Sequence, residues 1–136
     1  MKYLAALPGL QYSAANGCVH DIVFKAGYAA AFPEQAKEDR PMKIVSVNTN
    51  GIRAAARKGF FEWMQSKKPD VVCIQETKAQ EHQLSDPIFS PQGYHRYFHD
   101  AQKKGYSGVA IYTRHQPDEV HHGIGWDVMD HEGRWI

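Results

Sequence analysis

Two short runs of β-branched and apolar residues constrain the fold of this chain more than any other feature. They lie at Lys43 to Val47 and at Asp70 to Gln75, and nearly continuous apolar runs of this kind are typical of strands buried on both faces of a sheet. The residues between them, 53–67, carry an apolar stripe with helical spacing, although Gly59 argues against one continuous helix. The order strand, helix, strand predicts a β/α unit whose two strands lie side by side.

The alternation of strand and helix signals continues along the chain. Residues 79–93 are expected to form a short helix and Pro/Gly turns, residues 94–99 alternate as a half-exposed strand, and residues 108–113 predict another strand. Gly133 to Ile136 has the pattern of the start of a further strand. We therefore expect one truncated α/β domain over residues 42–136.

Residues 1–41 differ in character from the rest of the chain. They show no sustained hydrophobic period, and they end in a charged stretch at residues 34–41. The first residues faintly resemble a signal peptide, but Pro8 and Gly9 interrupt the short apolar core. We expect this segment to be a poorly ordered extension or the product of a mis-assigned start, with translation beginning at Met42.

Charge and cysteine content exclude several classes of protein. The net charge of +1 argues against a protein that coats DNA, but it is compatible with an enzyme that holds a few phosphates. Cys18 and Cys73 lie far apart without a C-x-x-C pair, which argues against a disulfide framework and a thiolate zinc site. Cys73 is expected to be a small buried side chain, and a reducing cytoplasm is the natural compartment. No apolar run approaches the roughly 18 residues of a bilayer span, so we expect no membrane partner.

Polar side chains follow both buried strands at the point where each strand ends. Asn48 follows the first strand and Glu76 follows the second. Side chains at the carboxyl ends of neighbouring strands converge on one crevice in open α/β folds. A carboxylate and an amide oxygen are hard ligands that suit Mg²⁺ or Mn²⁺, which keep several waters and accept substrate phosphate. The alternative is that Asn50-Gly51 is only a turn and Glu76 only a surface acid.

Two other kinds of metal site can be tested by spacing. An EF-hand loop with Gly51 at its sixth position places Arg57 where a bidentate Glu is required, so this alternative fails. His95 and His99 have the spacing of zinc ligands on a helix, but the residues around them alternate as a strand. On a strand at ~3.3 Å per residue they lie about 13 Å apart, too far for one metal ion. Three further histidines are expected in exposed positions: His115, His121 and His122.

Four motifs follow one another in a fixed order. Residues 43–54 read KIVSVNTNGIRA, residues 69–78 read PDVVCIQETK and residues 104–110 read KGYSGVA. The fourth motif combines residues 123–125 (GIG) and 132–134 (EGR). Together they resemble the motifs of the exonuclease III/AP endonuclease family. The resemblance covers nearly all of the chain after the charged stretch and none of the segment before it.

This resemblance implies a four-layer α/β sandwich of the DNase I type with a Mg²⁺-dependent active site. It implies that Asn48 and Glu76 belong to the metal-centred site, with Glu76 as the direct metal ligand and Asn50 behind it. It also implies that one set of residues lies close to DNA phosphates: Arg53, Ala54, Lys58, Lys78, Gly105, Tyr106 and Ser107. Cations and backbone N–H groups in such positions hold the DNA while the metal and its acids act on one phosphate.

For a full-length family member, the resemblance implies hydrolysis of DNA phosphodiesters 5′ to abasic sites, or removal of 3′ nucleotides and blocking groups. The expected partner is double-stranded DNA with abasic sites or 3′ ends, and we expect a monomer. The family's later Tyr, its Asp and Asn on one strand end and its closing Asp-His pair cannot be placed in these 136 residues. These remaining catalytic residues, which supply the general base and stabilise the transition state, are expected to lie beyond Ile136. This chain alone is therefore expected to be inactive.

Two rival functions belong to the same fold. A non-catalytic regulator of the catabolite repression control type acts at the RNA level and, by resemblance, carries Asp in the Gln-Glu-Thr motif, so Glu76 favours the nuclease. A phosphatase acting on inositol lipids or sphingomyelin is disfavoured by the sequences NGIRA at 50–54 and GYSGV at 105–109.

Overall fold

The structure, a computed structural model, describes residues 11–14, 19–23 and 41–136. Its strands are β1 (Gln11–Ala14), β2 (Val19–Val23), β3 (Lys43–Asn48), β4 (Val71–Gln75), β5 (His95–His99) and β6 (Val109–Thr113). Its helices are α1 (Ile52–Arg57), α2 (Phe60–Lys67) and α3 (Asp127–Asp130), with 3₁₀ turns at Glu81–Gln83 and Pro87–Phe89. The strands form one mixed sheet in the order β1-β2-β3-β4-β6-β5.

The predicted β/α unit is confirmed. β3 and β4 are parallel neighbours, with Asn48 in register with Gln75, and α1 and α2 form the connection between them. The other strand pairs are antiparallel. Because parallel strands end at the same edge of a sheet, the residues that follow β3 and β4 emerge next to each other.

Gly59 divides the predicted helix into two. α1 ends at Arg57, Lys58 caps it, and α2 begins after Gly59. Gly59 has a φ of +85°, a left-handed conformation that is costly for any residue with a Cβ atom. The interruption expected from the sequence is therefore observed at this glycine.

The core lies between one face of the sheet and the helices α1 and α2. Val45 of β3 and Val72 of β4 are fully buried in it. Phe61 of α2 packs edge-on against Tyr112 of β6, with ring centroids 5.6 Å apart. The Tyr112 hydroxyl donates to the carbonyl of Phe89 across 2.9 Å. These contacts fix α2 against the sheet.

The prediction that both strands are buried on both faces is wrong. Ile44 and Ser46 of β3, and Val71 and Cys73 of β4, are only half-buried, because the core helices cover the opposite face. Cys73 is a free thiol that is half-buried rather than fully buried as expected, and burial raises its pKa. Cys18 lies outside the described residues.

The predicted strand from Gly133 to Ile136 is also wrong. The chain forms α3 and then continues without regular structure as far as Ile136. The amide of Gly123 donates to the carbonyl of Trp135 across 3.2 Å, and Nδ1 of His99 lies 2.6 Å from the same carbonyl. Such isolated contacts do not make the ladder of paired residues that defines a strand.

Two short strands come from residues 1–41, where the sequence pattern predicted none. β2 pairs with β3 from Val19↔Val47 to Val23↔Lys43, and β1 pairs with β2. The other residues before Pro41, including the signal-like start, lie outside the described residues, so the division of the chain at Met42 stays a prediction. In the parts of the chain that the structure describes, no helix is long and apolar enough to cross a membrane.

Candidate active site

The loop after β3 and the loop after β4 are joined by backbone hydrogen bonds. The amide of Gly51 donates to the carbonyl of Glu76 across 2.8 Å, and the amide of Ile52 donates to the carbonyl of Thr77 across 2.9 Å. Ile52 is the first residue of α1 and is fully buried. The start of the helix and both loops therefore form one packed unit.

A third loop, between β5 and β6, joins the same unit. The amide of Thr77 donates to the carbonyl of Gly108 across 3.0 Å, and the amide of Lys78 donates to the carbonyl of Ser107 across 2.9 Å. Gly108 has a φ of +81°, and a Cβ atom there would lie 2.3 Å from Oγ1 of the buried Thr77. Only glycine permits this approach, so the three loops meet at one edge of the sheet.

Left-handed backbone conformations concentrate at this edge. Of the five non-glycine residues with positive φ in the described part of the chain, four belong to the three loops, namely Asn50, Glu76, Lys78 and Ser107, while Lys68 ends α2. Each such residue costs of order 1 kcal/mol and persists only where its surroundings fix it. The loops thereby give Glu76 and Lys78 side-chain directions that a regular strand end would not provide.

Four residues of this edge form a closed hydrogen-bonded cycle, which we call the polar ring: Asn48, Asn50, Glu76 and Lys78. Nδ2 of Asn48 donates to Oε1 of Glu76 across 2.8 Å, and Nζ of Lys78 lies 3.0 Å from Oε2 of the same carboxylate. Nζ of Lys78 also donates to Oδ1 of Asn50 across 2.5 Å, and the backbone N–H of Asn50 donates to Oδ1 of Asn48 across 2.9 Å. The predicted convergence of Asn48 and Glu76 is observed as a direct contact between their side chains.

The polar ring favours the charged form of Glu76. The hydrogen bond from Asn48, then the one from Lys78, lowers the pKa of the Glu76 carboxyl, and the charges of Lys78 and Arg134 act in the same direction. Glu76 is therefore a carboxylate at neutral pH. Its side chain is 40 % exposed, so it is open to a ligand from solvent.

The ring contains oxygen atoms that could act as ligands of a hard divalent cation. They comprise one carboxylate and two amide oxygens, and a carboxylate that accepts two hydrogen bonds keeps further lone pairs. Mg²⁺ needs no more than one or two protein carboxylates, because water and substrate phosphate complete its shell. No group of three or more His, Cys, Asp or Glu residues that could hold a metal occurs within the described ranges. A hard divalent cation that keeps most of its waters is the kind of metal ion that these oxygen atoms suit.

Tyr106 is the centre of a second group of side chains on the loop between β5 and β6. Its hydroxyl accepts a hydrogen bond from Nη2 of Arg134 across 3.2 Å, and Nζ of Lys103 lies 5.3 Å from its ring centroid. Gly105 next to it is exposed with a φ of +71°, and Ser107 is buried. An exposed aromatic hydroxyl beside two cations is suited to a DNA phosphate.

Arg134 is a site residue to which the sequence pattern assigned no role. Its Nε donates to the carboxylate of Glu132, which raises the pKa of the guanidinium, and its charge contributes to lowering the pKa of Glu76. The motif Glu132-Gly133-Arg134 was the only feature of the sequence that pointed to Arg134. Its proximity to Tyr106 depends on how residues 127–136 fold back, which the motif does not specify.

The other predicted DNA-binding residues separate into two places. Arg53 and Ala54 lie in the first turn of α1 and Lys58 caps its end, with the two cations exposed. Lys78 instead lies within the polar ring. A contact of any of them with DNA stays a prediction.

Asn48 and Glu76 are the two predicted catalytic residues that this chain itself supplies, and the structure brings them into direct contact. The remaining catalytic residues were expected beyond Ile136, the last residue of the sequence. Ile136 is half-buried and belongs to no helix or strand. The catalytic roles of Asn48 and Glu76, and the place of their expected partners beyond Ile136, stay predictions.

The histidines are arranged as the sequence suggested. His95 and His99 lie on β5, which is a strand. Nδ1 of His99 contacts a backbone carbonyl, and Nε2 of the exposed His121 lies 2.9 Å from Glu119. The exposed positions expected for His115, His121 and His122 are confirmed.

Comparison with known proteins identifies the family. A model described as the endonuclease/exonuclease/phosphatase family matches residues 45–136. The chain belongs to this family. The match includes the whole polar ring and the group around Tyr106, so both candidate sites lie in the family segment.

Similar proteins of this family bear the names of DNA-repair nucleases. An exodeoxyribonuclease of Bacillus subtilis is 43% identical over 96 residues, which are 70% of this chain and 37% of that protein. A DNA-(apurinic or apyrimidinic site) endonuclease of Dictyostelium discoideum is 37% identical over 103 residues, 76% of this chain and 28% of that protein. The chain thus spans about a third of the length of these two curated relatives.

A solved structure confirms the fold class. The AP endonuclease from Archaeoglobus fulgidus is similar with a TM-score of 0.57 and 32% identity, over 65% of this chain and 34% of that one. The mixed α/β architecture implied by the resemblance is therefore present, and the described residues contribute one sheet with helices packed against it.

Proposed function

We propose that this chain is the amino-terminal part of a Mg²⁺-dependent DNA-repair nuclease, an exodeoxyribonuclease or AP endonuclease. It hydrolyses phosphodiesters of double-stranded DNA, either 5′ to abasic sites or at 3′ ends. The polar ring carries the proposal, because it presents one oriented carboxylate at the ends of two parallel strands. The names of the relatives support DNA as the substrate. We also propose a cytoplasmic location, since the free thiol of Cys73 suits a reducing compartment. We propose further that the protein is a monomer.

Glu76 is the residue that would hold Mg²⁺, or Mn²⁺ in its place. When bound, a divalent ion would neutralise the negative charge that develops on the phosphate and the leaving oxygen during in-line attack by water. Asn48 orients the Glu76 carboxylate through the hydrogen bond that its side-chain amide donates. Arg53 and Lys58, exposed on and after α1, hold neighbouring phosphates by charge.

Water attack also needs a proton acceptor, and the polar ring does not contain one. Among the described residues, Glu76 is its single carboxylate and no histidine belongs to it. A carboxylate engaged in metal binding is a poor general base, because its lone pairs and its charge are already used. We therefore propose that these 136 residues alone incise DNA no faster than their Glu76→Gln variant.

A chimeric enzyme tests the proposal. The segment of Bacillus subtilis exodeoxyribonuclease that matches this chain is replaced with the matching residues of this chain, so that the remainder of the relative completes the protein. With Mg²⁺ and an abasic-site duplex, we expect incision that EDTA abolishes. Glu76→Gln in the chimera should reduce the incision rate by orders of magnitude, because it removes the charge that holds the metal.

The matched control is Glu62→Gln, which makes the same change at an exposed residue of α2. We expect this variant to retain the activity of the chimera. A folded chimera in which Glu76→Gln and Glu62→Gln incise equally well would contradict the assignment of Glu76. A folded but inactive chimera, combined with tight RNA binding by this chain, would favour the regulator.

A further inference from the structure

The backbone of Lys78 is fixed before its side chain is considered. Its φ is +47°, and its amide donates to the carbonyl of Ser107 across 2.9 Å. The side chain is 35 % exposed, and its ammonium contacts both Asn50 and Glu76. The family resemblance implies a phosphate contact for Lys78, whereas the structure places its ammonium against the carboxylate that would hold the metal.

This placement sets the charge of the polar ring. Glu76 contributes one negative charge, Lys78 contributes one positive charge, and the two asparagines are neutral. Attraction of a divalent cation to the carboxylate is therefore offset by repulsion from the ammonium. A DNA phosphate bound at the same edge adds the negative charge that a neutral ring lacks.

We propose that Lys78 is a positioning residue that serves as a built-in counter-cation for Glu76. It keeps Glu76 and Asn50 in place when no divalent ion is bound, and it holds the affinity for the free ion low, so that the ion and a DNA phosphate bind together. The inference rests on the proposed function, because it takes Glu76 as the metal ligand.

Two opposing effects decide the result of removing this charge. Loss of the contact loosens the Glu76 side chain, which Asn48 still holds by one hydrogen bond, and so weakens metal binding by at most about threefold to fivefold through restored rotamer freedom. Loss of the positive charge strengthens metal binding by more than about tenfold at low ionic strength, which is the effect expected of a unit charge near a divalent ion in water. The charge effect is the larger, and unlike the rotamer effect it is screened by salt.

The experiment is a titration of the 136-residue chain with Mn²⁺, followed by electron paramagnetic resonance. Lys78→Met should bind free Mn²⁺ about threefold to fivefold more tightly than the wild type at low ionic strength, and the gain should disappear at about 1 M salt. Lys78→Arg keeps the charge and should match the wild type. Lys67→Met removes an equivalent charge at the end of α2, before β4 begins, and should leave the affinity unchanged.

A short abasic-site duplex provides the second readout. It should tighten Mn²⁺ binding to the wild type more than to Lys78→Met, because the variant no longer needs the phosphate to offset the ammonium. A merely structural role for Lys78 would not produce a salt-dependent gain in affinity. Lys78→Gln, which can still donate to Asn50, gives the same comparison if Lys78→Met does not fold.

The outcomes separate the inference from the proposed function. Equal Mn²⁺ affinity of the wild type and Glu76→Gln overturns the metal site and the inference with it. If Glu76→Gln weakens binding but neutral variants at Lys78 bind free Mn²⁺ no more tightly than the wild type, the inference alone is overturned.

Discussion

Asn48 and Glu76 lie 28 positions apart in the sequence, yet Nδ2 of Asn48 donates to Oε1 of Glu76 across 2.8 Å. The parallel pairing of β3 and β4 produces this contact, because it puts Asn48 in register with Gln75, the residue before Glu76. The left-handed φ of Glu76, +54°, then sets the direction in which its side chain leaves the end of the strand. An oriented carboxylate at this edge follows from topology and one unusual backbone angle.

The first prediction concerns the ionisation of Glu76. Asn48→Ala removes the largest cause of the lowered pKa, so the Glu76 pKa should rise towards the ordinary value of a glutamate. NMR titration of the side-chain carboxyl carbon measures it. Asn50→Gly, which removes an amide without a direct bond to Glu76 and suits the φ of +45°, should raise it less.

The sign of the linked stability effect follows from the direction of this shift. A lowered folded-state pKa contributes stability that is present above the unfolded-state pKa and is lost as the pH falls through the folded-state value. Wild type should therefore lose more stability than Asn48→Ala in the acid range below the ordinary glutamate pKa. A larger acid loss in Asn48→Ala would contradict the role of the amide.

The second prediction concerns the packing of the three loops. Gly108→Ala forces a Cβ atom to within 2.3 Å of Thr77 Oγ1 at a φ of +81°, so the free energy of unfolding should fall by about 2–4 kcal/mol. Gly93→Ala is the matched control, since it has the same φ but no atom within 4 Å of the added Cβ. It should cost only about 1 kcal/mol, as measured by urea denaturation.

A double variant isolates the steric part of this cost. Thr77→Ala removes the hydroxyl that the new Cβ would meet, so Gly108→Ala should cost less in its presence. Equal costs in both backgrounds would mean that the backbone angle alone, and not the approach of the loops, requires glycine.

Much of the fold could be predicted from the sequence because its signals are local. The β-branched runs of β3 and β4 and the break at Gly59 are written in consecutive residues, and the parallel pairing follows from the helix between the strands. Two contacts could not be predicted in this way. Lys78 reaches Asn50 only because several loop residues adopt left-handed angles, and Arg134 reaches Tyr106 only through the fold of residues 127–136.

The third prediction concerns DNA binding by α1. Lys58→Ala should weaken binding of an abasic-site duplex and reduce the slope of log affinity against log salt by about one, as loss of one phosphate contact requires. Lys67→Ala removes the same charge at the end of α2, beside Lys43 at the opposite end of β3 from Asn48, and we expect an unchanged slope. Fluorescence anisotropy at several salt concentrations measures both, and equal slopes for the two variants would remove Lys58 from the interface.

The fourth prediction concerns residues 1–41. Every described core side chain lies between Val45 and Tyr112, so a chain that begins at Met42 should fold cooperatively, with a circular dichroism spectrum that keeps its helix signal. Its β3 edge loses the pairing with β2, and we expect a modest fall in melting temperature. In the longer chain, amide hydrogen exchange should be faster in residues 1–41 than in the core strands. Core-like protection across residues 1–41, or a non-cooperative melt of the shorter chain, would overturn this division.

The central claim, that Glu76 is the residue that would hold a divalent ion, is tested most directly by the effect of Mn²⁺ on the backbone NMR signals of this chain. Bound Mn²⁺ broadens the resonances of nuclei close to it. We predict that substoichiometric Mn²⁺ broadens residues 48–51 and 75–78 first and that Glu76→Gln abolishes this pattern. Broadening that centres on another acidic group, such as Glu119 beside His121, or that persists unchanged in Glu76→Gln, would contradict the account.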